Sequence, residues 1–298
     1  MLPFIKGRNL YVDCFGGAFS YYIWCGSNFS KKGTSGNNII QICAVHLLAI
    51  FVTVFCVTLL KGGWGQFASV TCRSWWLAVS SGFVQAASWI AYFLAMKKAN
   101  VSFLMVLDKT GVVVTVLLAA VFLDEQITPA IVLGSVLILT GTALMCALHG
   151  GVSQLMNSEN HWVIWGTVSP ALQAISNMLA ALDKTPVDTS VTTTIRMLTV
   201  VVCICTLARI KEGPLGRLVT LGVKKLSSLI IGGVILGVSY LLMYEAFSLG
   251  KVSAVTAIVR ANFLITTMLA QMIFKEKLSK KGTAGFILVL FGVALFVL

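Results

Sequence analysis

Three cations stand inside apolar runs that offer them no water: Lys109 in FLMVLDKTGVVVTVLLAAVF, Arg196 in VTTTIRMLTVVV and Arg260 in VSAVTAIVRANFLI. A lone cation at membrane depth costs about 3 kcal/mol or more, so each must face a wet cavity, a fixed partner or a ligand. Ammonium and guanidinium groups donate several hydrogen bonds and accept none, so the chemistry open to them is binding of an anion. Lys109 and Arg260 each lie nine residues into their apolar segments, roughly 13 Å deep at the helical rise. They read as a two-sided clamp for an anionic group. The competing reading is that a fixed carboxylate neutralises each and both only brace the bundle.

The acids in the same segments admit two roles. Asp108 adjoins Lys109, and neighbouring helical residues point about 100° apart, so the two are not expected to pair. Asp108 then either exchanges a proton, as a desolvated carboxylate can, or pairs with Arg196 or Arg260. Glu245 is a coupling acid or a brace for Arg260. His46 occupies nearly the place in its segment that Arg196 holds in its own. It titrates near neutrality or serves as a hydrogen-bonded packing residue. Trp24 and Asn28, four apart on one helix face, and Asn177 with Trp165 and Gln173 offer aromatic surface and amides for a mostly apolar pocket.

These residues need elements that hold them in oil. Of 298 residues, 58% are hydrophobic and 11% charged, with mean hydropathy +0.93. Soluble domains carry about 25% charged residues, so the medium implied is a bilayer. The net charge of +12 then belongs to loops and is no sign of nucleic acid. Apolar segments of membrane-spanning length fall at 13–30, 39–60, 74–96, 101–123, 129–148, 162–182, 190–209, 227–248, 252–274 and 282–298. The expected fold is all-α and integral to the membrane, with about ten spans. Trp75 and Trp76 are placed at a membrane interface.

The chain also repeats. Residues 82–147 and 233–298 align without a gap at 15 identical positions, among them Gly82/Gly233, Ser88/Ser239, Val101/Val252, Ser102/Ser253, Glu125/Glu276, Gly134/Gly285 and Gly141/Gly292. A weaker match pairs Asn28 with Asn177. The chain divides into halves 1–149 and 150–298 of about five spans each. An odd number of spans starts the second half on the opposite side of the membrane, so the repeats are inverted. Glu125 and Glu276 sit at tight turns, where a carboxylate accepts hydrogen bonds from the N–H groups opening the next helix. The four glycines lie seven apart and allow close packing within the chain, or dimerisation.

AAVFLDEQITPAIVLGSVLILTGTAL and AQMIFKEKLSKKGTAGFILVLFGVAL resemble the paired motifs of the drug/metabolite transporter superfamily, in its EamA-type branch. SYYIWCGSNFSKKG is similar to the first-span signature. The resemblance implies a ten-helix bacterial secondary transporter of two inverted EamA repeats, with spans 1, 3, 4, 6, 8 and 9 around a central cavity.

The expected function is movement of a small polar or anionic metabolite by alternating access. The alternative within that class is a proton-coupled exporter of amino acids or amphipathic drugs. An integral-membrane enzyme or a non-transporting membrane protein is the reading from another class. No phosphate-binding GxxxxGK[ST] loop is present. His46, His149 and His161 have no ligand-like spacing to cysteine, so neither metal nor cofactor is expected. Expected partners are a small-molecule substrate and the lipid bilayer, with no nucleic acid, as a monomer or homodimer. The expected location is a plasma membrane, the bacterial inner membrane.

Overall fold

The computed structural model describes residues 39–96, 101–147, 161–184, 186–213, 223–260 and 280–297. Among them are nine α-helices and one short 3-10 helix. The helices are α1 (Ile39–Leu60), α2 (Cys72–Met96), α3 (Val101–Phe122), α4 (Pro129–Ala147) and α5 (His161–Ala181), followed by α6 (Thr189–Glu212), α7 (Val223–Leu249), α8 (Val252–Arg260) and α9 (Lys280–Val297). The 3-10 helix, Gly63–Ser69, joins α1 to α2. α1, α2, α6 and α7 each hold an apolar stretch of 21 to 24 residues, enough to cross a bilayer core of about 30 Å. Their outward residues are large and apolar: Leu48, Phe83, Leu198 and Ile231 are all exposed. In water that would be a liability; against lipid it is the expected surface.

The described chain forms two compact units. One holds the residues up to Ala87 and Leu179–Leu249; the other holds Ser88–Met178 and those from Gly250 on. In the first, α1 packs against both α6 and α7. Gln41 Nε2, near the start of α1, donates to Gly213 O beyond the end of α6 at 3.2 Å. Thr58, near the end of α1, donates to Ser190 O at the start of α6 at 3.1 Å and meets Thr194 Oγ1 at 2.9 Å. The two helices therefore run antiparallel. The opening turns of α2 join them where Ala78 packs with Val191 and Ile195.

In the second unit the main contact is α4 on α9. A Cβ on Gly134 would lie 2.7 Å from Gly292 O, and one on Gly141 would lie 2.7 Å from Gly285 O. As one number rises the other falls, so these helices too are antiparallel. Gly134 thus faces the repeat counterpart of Gly141, and Gly141 faces that of Gly134. Only glycine permits such backbone approach, and the gain is dispersion contact along the whole helix pair. The glycine stripes are thus used within the chain. α3 likewise packs on α8. Each of these spans lies against its own counterpart from the other half: α1 on α6, α3 on α8, α4 on α9. That is the arrangement of inverted repeats. Ser88 and Ser169 add a reciprocal pair, each hydroxyl donating to the other's carbonyl at 2.8 and 3.0 Å.

One turn departs from expectation. Asp124 takes a left-handed conformation, φ 53°, which Asp tolerates better than most side chains. That turn ends α3 and aims Glu125 at a different helix from the one that follows it. The Glu125 carboxylate accepts from Val252 N at 2.7 Å, from Ser253 N at 3.4 Å and from the Ser253 hydroxyl. It caps α8, which lies in the other half of the chain, rather than α4. The sequence expectation of a helix cap needs this correction of partner. Thr128 supplies the hydroxyl for α4 instead, accepting from Ile131 N at 3.3 Å.

Candidate functional site

α6 opens with Thr189-Ser-Val-Thr-Thr-Thr-Ile-Arg196, and every residue from Ser190 to Met197 is buried. Such a polar tract survives in a helix because its hydroxyls bond to the helix itself. Thr193 donates to Thr189 O at 2.7 Å, Thr194 to Ser190 O at 2.8 Å and Thr199 to Ile195 O at 3.0 Å. Asp188 caps the helix, accepting from Ser190 N at 2.8 Å.

Arg196 has no such outlet. It is 2% exposed, and its Cζ lies 4.0 Å from the centroid of the Tyr244 ring. Tyr244 is stacked on Tyr240, one turn earlier in α7, at 5.8 Å between centroids. Among the described residues, Arg196 Nε, Arg196 Nη1 and the Tyr244 hydroxyl are buried without a hydrogen-bond partner. A desolvated cation–π contact contributes about 2 kcal/mol, whereas burying a charge costs several kcal/mol. The ring alone does not compensate the guanidinium.

A glycine brings α2 to this point. A Cβ on Gly82 would lie 2.8 Å from Arg196 O and 2.7 Å from Thr199 Cβ. Its repeat counterpart behaves identically: a Cβ on Gly233 would lie 2.9 Å from His46 O and 2.5 Å from Ala49 Cβ. These paired contacts make His46 and Arg196 equivalent positions of the two halves. Their surroundings differ. His46 Nδ1 lies 3.1 Å from Leu229 O, so its ring is engaged with backbone, while Arg196 rests on an aromatic ring.

Beyond this core, at the ends of α1 and α7, Lys61 lies 3.9 Å from Asp188 and 3.9 Å from Glu245. Asp188 N also donates to Gln66 Oε1 at 2.9 Å. Partial burial pushes the Asp188 carboxyl up, but the hydrogen bonds from Ser190 and the Lys61 charge outweigh it and leave the pKa below its usual value. Glu245 thus sits in a partly exposed cluster, its side chain 36% accessible. Its partner here is Lys61, and it stands four residues from the end of α7.

In the second unit, Lys109 is 3% exposed and lies 3.3 Å from Asp108 Oδ2. The expectation that these neighbours would not pair is overturned. A lysine's four-carbon stem is long enough to fold back across the 100° between adjacent helical positions. Asn177 is buried and accepts from Gln173 Nε2 at 3.0 Å. Trp165, grouped with it in sequence, is 44% exposed. Trp24, Asn28 and Glu276 lie outside the described residues, and of Arg260 only the backbone is described. The sequence pattern missed Tyr244 and Lys61. Tyr240 and Tyr244 did leave a signal: their repeat counterparts Trp89 and Phe93 are also aromatic and stack at 5.5 Å. Among the described residues no group of His, Cys, Asp and Glu could hold a metal ion.

Comparison with known proteins agrees with this architecture. A model of the EamA-like transporter family matches residues 14–147 and again 160–298. A Sinorhizobium sp. protein described as an uncharacterized transporter in the cobO 3' region is 26% identical over 117 residues, covering 39% of this chain and 83% of its own. A solved crystal structure shares the fold with TM-score 0.75 at 15% identity, covering 97% of this chain and 96% of its own. Two matches of one family, one to each half of an all-helical membrane chain, leave an enzyme aside: this is a multi-pass membrane transporter, and the chain belongs to the EamA-like transporter family.

Proposed function

We propose that the protein is a secondary transporter that carries a small polar or anionic metabolite by alternating access. The observation that carries this reading is the antiparallel packing of matching spans, Gly134 against Gly292 and Gly141 against Gly285. Two inverted halves with the same fold have two arrangements related by a pseudo-two-fold rotation, one open to each side. Exchange between them needs no hydrolysis, and the sequence has no phosphate-binding loop. The energy source is then a gradient or exchange. The bacterial inner membrane is the proposed location, with a monomer or homodimer as the working unit.

The test is counterflow in proteoliposomes. Vesicles preloaded with one member of a panel of carboxylates, amino acids, sugars and organic cations should accumulate its labelled form transiently, faster than protein-free vesicles. No counterflow with any member contradicts the proposal.

Proton coupling is a second reading, favoured by the Asp108–Lys109 pair inside a span. A proton on Asp108 would release Lys109. On this reading Asp108→Asn keeps counterflow but loses the acceleration given by an imposed pH gradient. Equal acceleration in variant and wild type removes Asp108 from the coupling.

A further inference from the structure

We propose that Arg196 and Tyr244 form the seat for a carboxylate on the transported molecule. The proposal rests on the transporter reading and names its substrate class. Both side chains are 2% exposed. Arg196 Cζ lies over the Tyr244 ring, 4.0 Å from its centroid, a contact that gives the N–H groups no oxygen acceptor. Nε, Nη1 and the Tyr244 hydroxyl are all buried and without a partner among the described residues. Several neighbouring donors with no acceptor define what is missing, which is an oxyanion. A guanidinium presents planar pairs of N–H groups that match the two oxygens of a carboxylate.

Charge narrows the class. Asp188 and Glu245, in the cluster at the ends of α1 and α7, lie 3.9 Å from Lys61 and form no ion pair with Arg196. Arg196 itself forms no ion pair among the described residues, so the seat presents one guanidinium charge. A monoanion balances it. A phosphate dianion would leave a net negative charge in a low-dielectric site. Lys109 does not offer an equivalent seat, because Asp108 already neutralises it.

Tyr244 makes the proposal separable from a merely structural role. Its hydroxyl is buried and unsatisfied, so removing it relieves a desolvation cost in the empty protein. If that hydroxyl serves a ligand, the same change weakens binding. The experiment uses purified full-length protein in detergent, with thermal unfolding and direct binding measured against acetate, butyrate and benzoate, the matching amides, and inorganic phosphate. At least one carboxylate should raise the melting temperature while its amide does not, and Arg196→Gln should abolish that response. Tyr244→Phe should melt higher than wild type when empty yet bind the carboxylate about tenfold more weakly. Equal responses to acid and amide, no response to any carboxylate, a response to phosphate alone, or an unchanged response in Arg196→Gln would overturn the seat. Should Arg196→Gln fail to fold, unchanged carboxylate affinity in both Arg196→Lys and Tyr244→Phe overturns it equally. Counterflow of neutral metabolites with no carboxylate binding would sink this inference and leave the transporter reading standing. Carboxylate binding with no counterflow of any solute would do the reverse.

Discussion

Lys61 and Glu245 meet at 3.9 Å where α1 and α7 end, and the same lysine reaches Asp188 at the head of α6. One side chain thus ties three helix ends together beside the buried arginine. Its side chain is 44% accessible, so salt screens it, and such pairs contribute about 0–1 kcal/mol each. Lys61→Gln should therefore lower stability only slightly in low salt. Melting curves at low and high ionic strength check it: the gap between wild type and variant closes as salt rises. A gap that persists in high salt means Lys61 acts through packing.

Asp188 gives the cluster a pH dependence. Its folded pKa lies below the unfolded value of 3.8. A depressed carboxylate contributes stability that is fully present above the unfolded pKa and is lost as pH falls through the folded one. Asp188→Asn keeps a capping side chain but loses the charge. The melting-temperature difference between wild type and variant should be constant from neutral pH into the mildly acidic range, then shrink below pH 3.8. A difference that grows on acidification contradicts the assignment.

Gly82 and Gly134 are sites of backbone contact, with 2.7 to 2.8 Å available to a Cβ against main-chain oxygen. Alanine at either position forces helices apart and should cost about 1–3 kcal/mol. Gly65 has nothing within 4 Å of its Cβ position, and Gly65→Ala should be near neutral. Thermal unfolding of the three variants settles the ranking.

Glu125 caps a helix 127 residues away in sequence. Glu125→Ala removes the acceptor for Val252 N, Ser253 N and the Ser253 hydroxyl, at a cost of about 1–2 kcal/mol. Substituting Asp124 by β-branched Val should destabilise the same turn, since φ 53° is poorly tolerated there. Unfolding midpoints measure both. A neutral Glu125→Ala would mean that water replaces the carboxylate.

The fold was legible because lipid imposes a coarse rule. Spans of about 20 apolar residues are needed, and α1 was expected at 39–60, where it lies. Inversion followed from an odd number of spans per half. The site was harder to read, because its partners come from spatial neighbours. Glu125 announced a cap, but the capped helix lies in the other half. Lys61 counts as one more loop cation until the ends of α1, α6 and α7 converge on it. Asp108 and Lys109 were separated by helical geometry that applies to Cβ directions and ignores the reach of a lysine. Arg196 and His46 fall one residue out of register with the sequence repeat, and the Gly82 and Gly233 contacts put them back in step.

The decisive measurement is counterflow of a labelled short-chain carboxylate into proteoliposomes holding wild-type protein or Arg196→Gln. Wild type should exchange the anion well above protein-free vesicles, and the variant should fall to the vesicle background while remaining folded in detergent. Exchange by Arg196→Gln at the wild-type rate would contradict the account.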